Sequence, residues 1–188
     1  MEEQVILVDE EDNEVGVSEK LAAHIPPGKL HRAVSIYVFD SKRRLLLQKR
    51  AITKYHSPGL WSNTCCGHPR PKESSIEAAT RRLKEEMGVE CPLRDEFGYL
   101  HRRGVGSELT EWEYGHVFIG KCDCQPIPNP REVESWKWAY VDWLREDMAM
   151  HESQYTVWFQ PALGAVMAHI SQRQKDLNAL SYPVIKSY

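Results

Sequence analysis

The chain has 188 residues, 41% of them hydrophobic, enough for one domain with a buried core and too apolar for a disordered chain. Its net charge of −3 comes from interspersed acids and bases, which excludes a basic nucleic-acid surface, and no apolar run approaches the roughly 20 residues of a membrane-spanning helix. Five cysteines, with no secretory pattern in the acidic stretch 1–16, point to free thiols in a reducing cytoplasm.

Residues 4–8 read as a strand, Asp12-Asn13 as a turn and residues 14–17 as a returning strand, after which Ser18 is placed to cap a short helix over 19–24. Pro26-Pro27-Gly28 ends that helix. Residues 31–40 and 44–49 are strands joined at Ser41-Lys42, residues 55–59 form a loop, and residues 60–64 form a short strand leading into Cys66. Pro69 and Pro71 hold off the next helix until Ser74, where Ile76, Ala79, Leu83 and Met87 recur at helical spacing, and Gly88 stops it. Residues 97–102 and 109–121 are strands joined by a loop with Gly104 and Gly106. The second strand sets Trp112, Tyr114, His116 and Phe118 on one face and Glu111, Glu113, Gly115, Val117 and Ile119 on the other. Pro126, Pro128 and Pro130 form a stiff connection to a strand over 135–141. A short helix then starts at Asp142, and a long one lies within 157–180. Strands and helices alternate without a regular βα repeat, which predicts either an α+β chain or a mixed-sheet α/β sandwich.

The charged helix carries a spaced pattern of Gly67, Glu73, Arg81, Leu83, Glu85, Glu86, Gly88 and Val89. It resembles the Nudix box, matching all of its fixed positions except Arg82, where the box has glutamate. Carboxylates on one helical face can hold a divalent cation that bridges a diphosphate. The plain alternative is a solvated helix with Arg81–Glu85 and Arg82–Glu86 pairs. Arginine in place of a box glutamate removes a carboxylate used to activate water and adds a diphosphate donor, so the helix can bind a diphosphate without cleaving it. His24, His31 and His68 lie in three separate segments, and Glu111 and Glu113 share one strand face with Cα atoms about 7 Å apart. Three imidazoles and two carboxylates suit Mn²⁺, Zn²⁺ or Mg²⁺ in a five- or six-coordinate site, although spacing alone does not bring them together. Cys66 reads either as a buried thiol or as a reactive one near a helix start, where thiolate is favoured; Cys65 points to the opposite face.

Glu19 to His24, Leu30-His31-Arg32-Ala33, Gln48 to Ala51, Lys54, Pro58 to Asn63, Cys66 to Pro69, Glu111-Trp112-Glu113 and Tyr155 to Phe159 agree in order and spacing with type I isopentenyl diphosphate isomerase. From about residue 4 to residue 160 the chain resembles that family. The resemblance implies a Nudix fold, an α+β chain built as an α/β/α sandwich with a mixed sheet between helices, and a single domain over 1–188, with an N-terminal strand and helix extension over 1–30 and a C-terminal helix over 157–180. It also implies the interconversion of isopentenyl and dimethylallyl diphosphate by a 1,3-proton shift. On the same resemblance, Cys66 and Glu113 are the opposed acid/base groups, and His24, His31, His68, Glu111 and Glu113 form the metal shell. Glu86 is matched to a second ion, Mg²⁺, that arrives with the diphosphate. Lys20, Arg50, Lys54 and Arg82 contact the diphosphate, and Trp158 faces the hydrocarbon. The family's supporting tyrosine falls on Tyr99 if the following loop is longer here, and on His101 if it is not. The expected partner is the small-molecule substrate, with no nucleic acid or membrane, in a monomer or weak homodimer. Two alternatives accompany this reading: a Nudix pyrophosphohydrolase acting on a nucleoside diphosphate derivative, and a non-catalytic metal-binding module.

Overall fold

The computed structural model describes residues 3–105 and 108–180. The chain opens with a hairpin, β1 (Gln4–Val8) and β2 (Glu14–Glu19), then the short helix α1 (Lys20–His24). Next come β3 (His31–Phe39), β4 (Arg44–Arg50), β5 (Trp61–Ser62), β6 (Cys65–Gly67) and the helix α2 (Ser75–Met87). The long strands β7 (Leu93–Val105) and β8 (Leu109–Lys121) are followed by β9 (Val133–Tyr140) and α3 (Val141–Met150). A 3₁₀ turn (Glu152–Gln154) leads to α4 (Phe159–Leu180). None of the described helices is long and apolar enough to cross a membrane.

The strands form one mixed sheet with β3 near its centre. β3 pairs antiparallel with β6, setting Ser35 opposite Cys66, and parallel with β8, setting His31 opposite Glu113. Alternation along β3 builds both cores. Val34, Ile36 and Val38 pack with Ala79, Leu83 and Met87 of α2, while Tyr37 and Phe39 pack with Leu144, Met148, Phe159 and Leu163 on the other face. This is the expected α/β/α sandwich, with a third, small cluster of Ile6, Val8 and Leu30 under the hairpin.

Several local expectations need correction. Ser18 lies within β2, and Glu19 caps α1 instead, its carboxylate accepting from the backbone N–H of Leu21 and Ala22. The strand expected over 60–64 is cut to Trp61–Ser62, because Asn63 and Thr64 are buried and their side chains bond to backbone. Asn63 Nδ2 donates to Ile36 O and Cys65 O, and Thr64 Oγ1 donates to Leu46 O. Ile76 is exposed, so the buried stripe of α2 starts at Ala78 and Ala79. β7 is longer than the 97–102 expected, since it pairs with the full length of β8 and absorbs a bulge at Asp95–Phe97. α4 begins at Phe159, after a turn that holds Val157 and Trp158. Gly106 lies outside the described residues. Cys122 and Cys124 are joined as a disulfide, their Cα atoms 5.2 Å apart and within bridging reach, so the expected free thiols reduce to Cys65, Cys66 and Cys91.

Candidate active site

His24, His31, His68 and Glu113 converge, with one ligand atom from each lying within 4.8 Å of the others. Three elements and a loop bring them together: α1 carries His24, β3 starts at His31, His68 follows β6, and Glu113 is on β8. His24 Nδ1 donates to Lys20 O and His31 Nδ1 donates to Lys29 O, both at 2.8 Å. A carbonyl only accepts, so each Nδ1 holds the proton and each Nε2 turns a lone pair inward. Both histidines are fully buried, and His24 Nε2 has no hydrogen-bond partner. His31 Nε2 faces His68 Nε2 at 3.2 Å, and His68 Nε2 is 3.0 Å from Glu113 Oε1. Buried lone pairs and a carboxylate oxygen that face one another need a cation, and this mixed nitrogen/oxygen set fits a divalent metal. Glu111 stands beside the group, 3.9 Å from both His56 and His101, and is not one of the four.

Burial pushes Glu113 up, but His68, with Nε2 3.0 Å from Glu113 Oε1, and His101 across the strand outweigh it and hold the carboxyl well below its usual range. Burial and the adjacent Glu113 charge raise Glu111 to about 6. His68 is pushed down to about 3, mainly by burial.

The same cavity is lined by Cys66, Ser35, Tyr99, His101, Glu113 and Trp158. Cys66 Sγ lies 3.5 Å from Ser35 Oγ, 3.1 Å from Asn63 Nδ2 and 3.3 Å from Asn63 Oδ1. The expectation of a thiolate-favouring helix start does not hold. α2 begins only at Ser75, and burial raises the Cys66 thiol to about 11, so it stays protonated. Cys65 points to the opposite face and packs against α2. Tyr99 and His101 both line the cavity, stacked at 5.2 Å. His101 sits opposite Glu113 in the β7–β8 register with Nε2 3.4 Å from Glu113 Oε2, while Tyr99 sits opposite Gly115. The guanidinium of Arg50 lies 5.5 Å from the Trp158 ring centre.

Ionic side chains also line or border the cavity. Lys20 pairs with Glu3 at 2.9 Å, Arg82 pairs with Glu86, and Lys54 pairs with Glu132. Glu86 is buried, its Oε2 accepting from Gln48 Nε2 at 2.9 Å. The arginine next to Arg82 in α2 does different work. Arg81 donates to both oxygens of Glu73 at 2.7 and 2.8 Å and to His68 O at 3.2 Å, bracing the loop that carries His68. Gly67 is required by contact, since a Cβ there would lie 2.7 Å from Arg82 Cγ. Gly88 closes α2 in the left-handed region at φ 62°.

Of the residues singled out in the sequence, His24, His31, His68 and Glu113 come together in one group, and Cys66, Tyr99, Trp158, Lys20, Arg50, Lys54, Arg82, Glu86 and Glu111 line the cavity. Sequence reasoning missed Ser35, Tyr55, His56, Glu3 and Glu132, all of which line the cavity or pair with residues that do. None of them carries a spacing signal. Ser35 could have been found from its parity on β3, opposite Cys66.

A NUDIX domain matches residues 29–159. The chain is 54% identical over 168 residues to isopentenyl-diphosphate Delta-isomerase 1 of Aromatoleum aromaticum, covering 89% of this chain and 94% of that one. It is 46% identical over 188 residues to isopentenyl-diphosphate Delta-isomerase 2 of Photorhabdus laumondii, covering 100% and 98%. Among solved structures, it overlays on a Deinococcus radiodurans protein with a TM-score of 0.72 at 20% identity, covering 87% and 98%, a likeness of fold alone.

Proposed function

The chain belongs to the isopentenyl-diphosphate Delta-isomerase family within the NUDIX group, and from that premise we propose how its cavity carries the reaction. The enzyme interconverts isopentenyl and dimethylallyl diphosphate. A proton is added to the terminal alkene carbon, a tertiary cation forms at the branched carbon, and a proton leaves the carbon on its other side.

In our reading Cys66 delivers the first proton in the forward direction. Its support is a thiol held protonated by burial and steadied by Asn63 and Ser35. Glu113 takes the second proton. Its support is a carboxylate kept ionised by the neighbouring imidazoles and reaching the same cavity from β8, on the other side of β3 from Cys66. Trp158 faces the cation, and the aromatic wall of Tyr99, Tyr55 and Trp158 keeps water from trapping it. Tyr99 supports the acid/base pair from β7, and His101 holds Glu113 Oε2 from the same strand.

His24, His31, His68 and Glu113 would hold one divalent metal, Mn²⁺, Zn²⁺ or Mg²⁺, with Glu111 alongside, and Glu86 would hold the Mg²⁺ that accompanies the diphosphate. A divalent cation held in the first site would favour the anionic form of Glu113. Lys20, Arg50, Lys54 and Arg82 anchor the diphosphate, and that binding energy places the hydrocarbon between the two acid/base groups. The observation that carries this reading is that Cys66, Glu113, Trp158 and the four cations Lys20, Arg50, Lys54 and Arg82 line one cavity. Incubation of metal-loaded enzyme with isopentenyl diphosphate tests it by NMR. Dimethylallyl diphosphate should accumulate without release of phosphate, whereas phosphate release without isomer would overturn it.

A further inference from the structure

Glu132 is assigned no part in the proposed function, yet it stands beside the cavity and pairs with two of the cations that line it. Its backbone is fixed there: Ala51 N donates to Glu132 O at 2.9 Å, and Glu132 N donates to Asn129 O at 2.9 Å. Its side chain contacts two of the four cations assigned to the diphosphate. Oε2 pairs with Lys54 Nζ, and Oε1 lies 3.4 Å from Arg82 Nη2. The same two cations also face Glu86, which pairs with Arg82 and lies 3.7 Å from Lys54. Two carboxylates therefore offset two cations in a corner where Lys54, Arg82 and Glu86 are mostly buried and Coulomb interactions are only partly screened. By contrast, Arg50 keeps a buried Nε with no hydrogen-bond partner.

A phosphate group needs the donors that Glu132 now holds. Lys54 Nζ and the Arg82 guanidinium are point and forked donors for phosphate oxygens, and a carboxylate uses them in the same way. A free diphosphate approaching this corner meets no net positive charge from the pair, and it meets two carboxylates that repel it. A diphosphate that carries Mg²⁺ brings a cation those carboxylates can face. We propose that Glu132 is a specificity-determining residue that occupies the phosphate donors of Lys54 and Arg82 and so makes diphosphate capture conditional on Mg²⁺. The inference deepens the proposed function and rests on its placement of the diphosphate.

Calorimetric titration of the metal-loaded, full-length enzyme with inorganic pyrophosphate, with and without added Mg²⁺, tests it. Wild-type enzyme should bind pyrophosphate well with Mg²⁺ and poorly without. Glu132→Gln should bind it about tenfold tighter than wild type when Mg²⁺ is left out, with the enhancement by Mg²⁺ reduced to match. Glu132→Ala should shift in the same direction, so misfolding of one variant leaves the test standing. Glu134→Gln makes the same change of charge at an exposed pair with Lys49, outside the cavity, and should behave as wild type. Unchanged or weaker Mg²⁺-free binding in the Glu132 variants, or an equal gain in Glu134→Gln, overturns the role of Glu132. Wild-type enzyme that fails to bind pyrophosphate even with Mg²⁺ overturns the diphosphate site itself, and the inference with it.

Discussion

Two adjacent cysteines have opposite fates because a strand alternates its faces. Cys65 is fully buried against α2, and Cys66 lines the cavity. Cys65→Ala should therefore lower stability by about 1 kcal/mol, as a small core truncation does, and leave turnover near wild type; thermal melting and a kinetic assay together check this. The histidines make a second test at this scale. His24 points an unpartnered Nε2 at His31, His68 and Glu113, so its loss removes a ligand atom without disturbing the sheet. His24→Ala should weaken divalent-metal binding by at least about tenfold by calorimetry, and unchanged affinity would contradict the assigned metal group.

At the scale of elements, α2 joins a buried face to one that lines the cavity. Ala78, Ala79, Leu83 and Met87 are buried, and Ser74 with Glu77 forms a capping box at its start. Arg81 then ties the helix to Glu73 and to the carbonyl of His68. Arg81→Ala should cost about 2 kcal/mol, read from chemical denaturation, because it leaves Glu73 without its forked partner. It should also weaken metal binding, because the loop holding His68 loses its brace. Much of this helix was legible in the sequence. The box spacing, the stripe of Ala79, Leu83 and Met87 and the stop at Gly88 all follow from a 3.6-residue period and one left-handed glycine. The sequence also shows both surface pairs of the plain reading. Arg81–Glu85 is present at 3.0 Å, and Arg82–Glu86 is present but turned into the cavity. The split of β5 from β6 was not legible, since Asn63 and Thr64 are typed as surface residues by composition, yet both are buried and bond to backbone remote in sequence, Ile36 O and Leu46 O. Nor was Glu132 legible, because its partners Lys54 and Arg82 are remote in sequence.

In the whole molecule, the hairpin β1–β2 and helix α1 precede the matched NUDIX segment, yet they supply Lys20 and His24 to the cavity. A cluster far from the chemistry fastens them down. Asp12 Oδ1 accepts from Arg32 Nε at 2.7 Å, Asp12 O accepts from Arg32 Nη2 at 2.6 Å, and Asp12 Oδ2 lies 2.9 Å from His116 Nε2. Asp12→Asn should loosen the hairpin, seen as faster proteolysis near the β1–β2 turn, and should lower metal affinity while leaving the main melting transition in place. Proteolysis at the wild-type rate with wild-type metal affinity would contradict the role of that clasp.

The division of labour between Cys66 and Glu113 is the centre of the account, and isotope entry in deuterated water tests it directly. Wild-type, metal-loaded enzyme given isopentenyl diphosphate should place solvent deuterium in dimethylallyl diphosphate, detected by NMR. Cys66→Ala and Glu113→Gln should each abolish incorporation while remaining folded by circular dichroism. A folded Cys66→Ala variant that still incorporates deuterium at the wild-type rate, or a wild-type enzyme that turns over without incorporation, would contradict it.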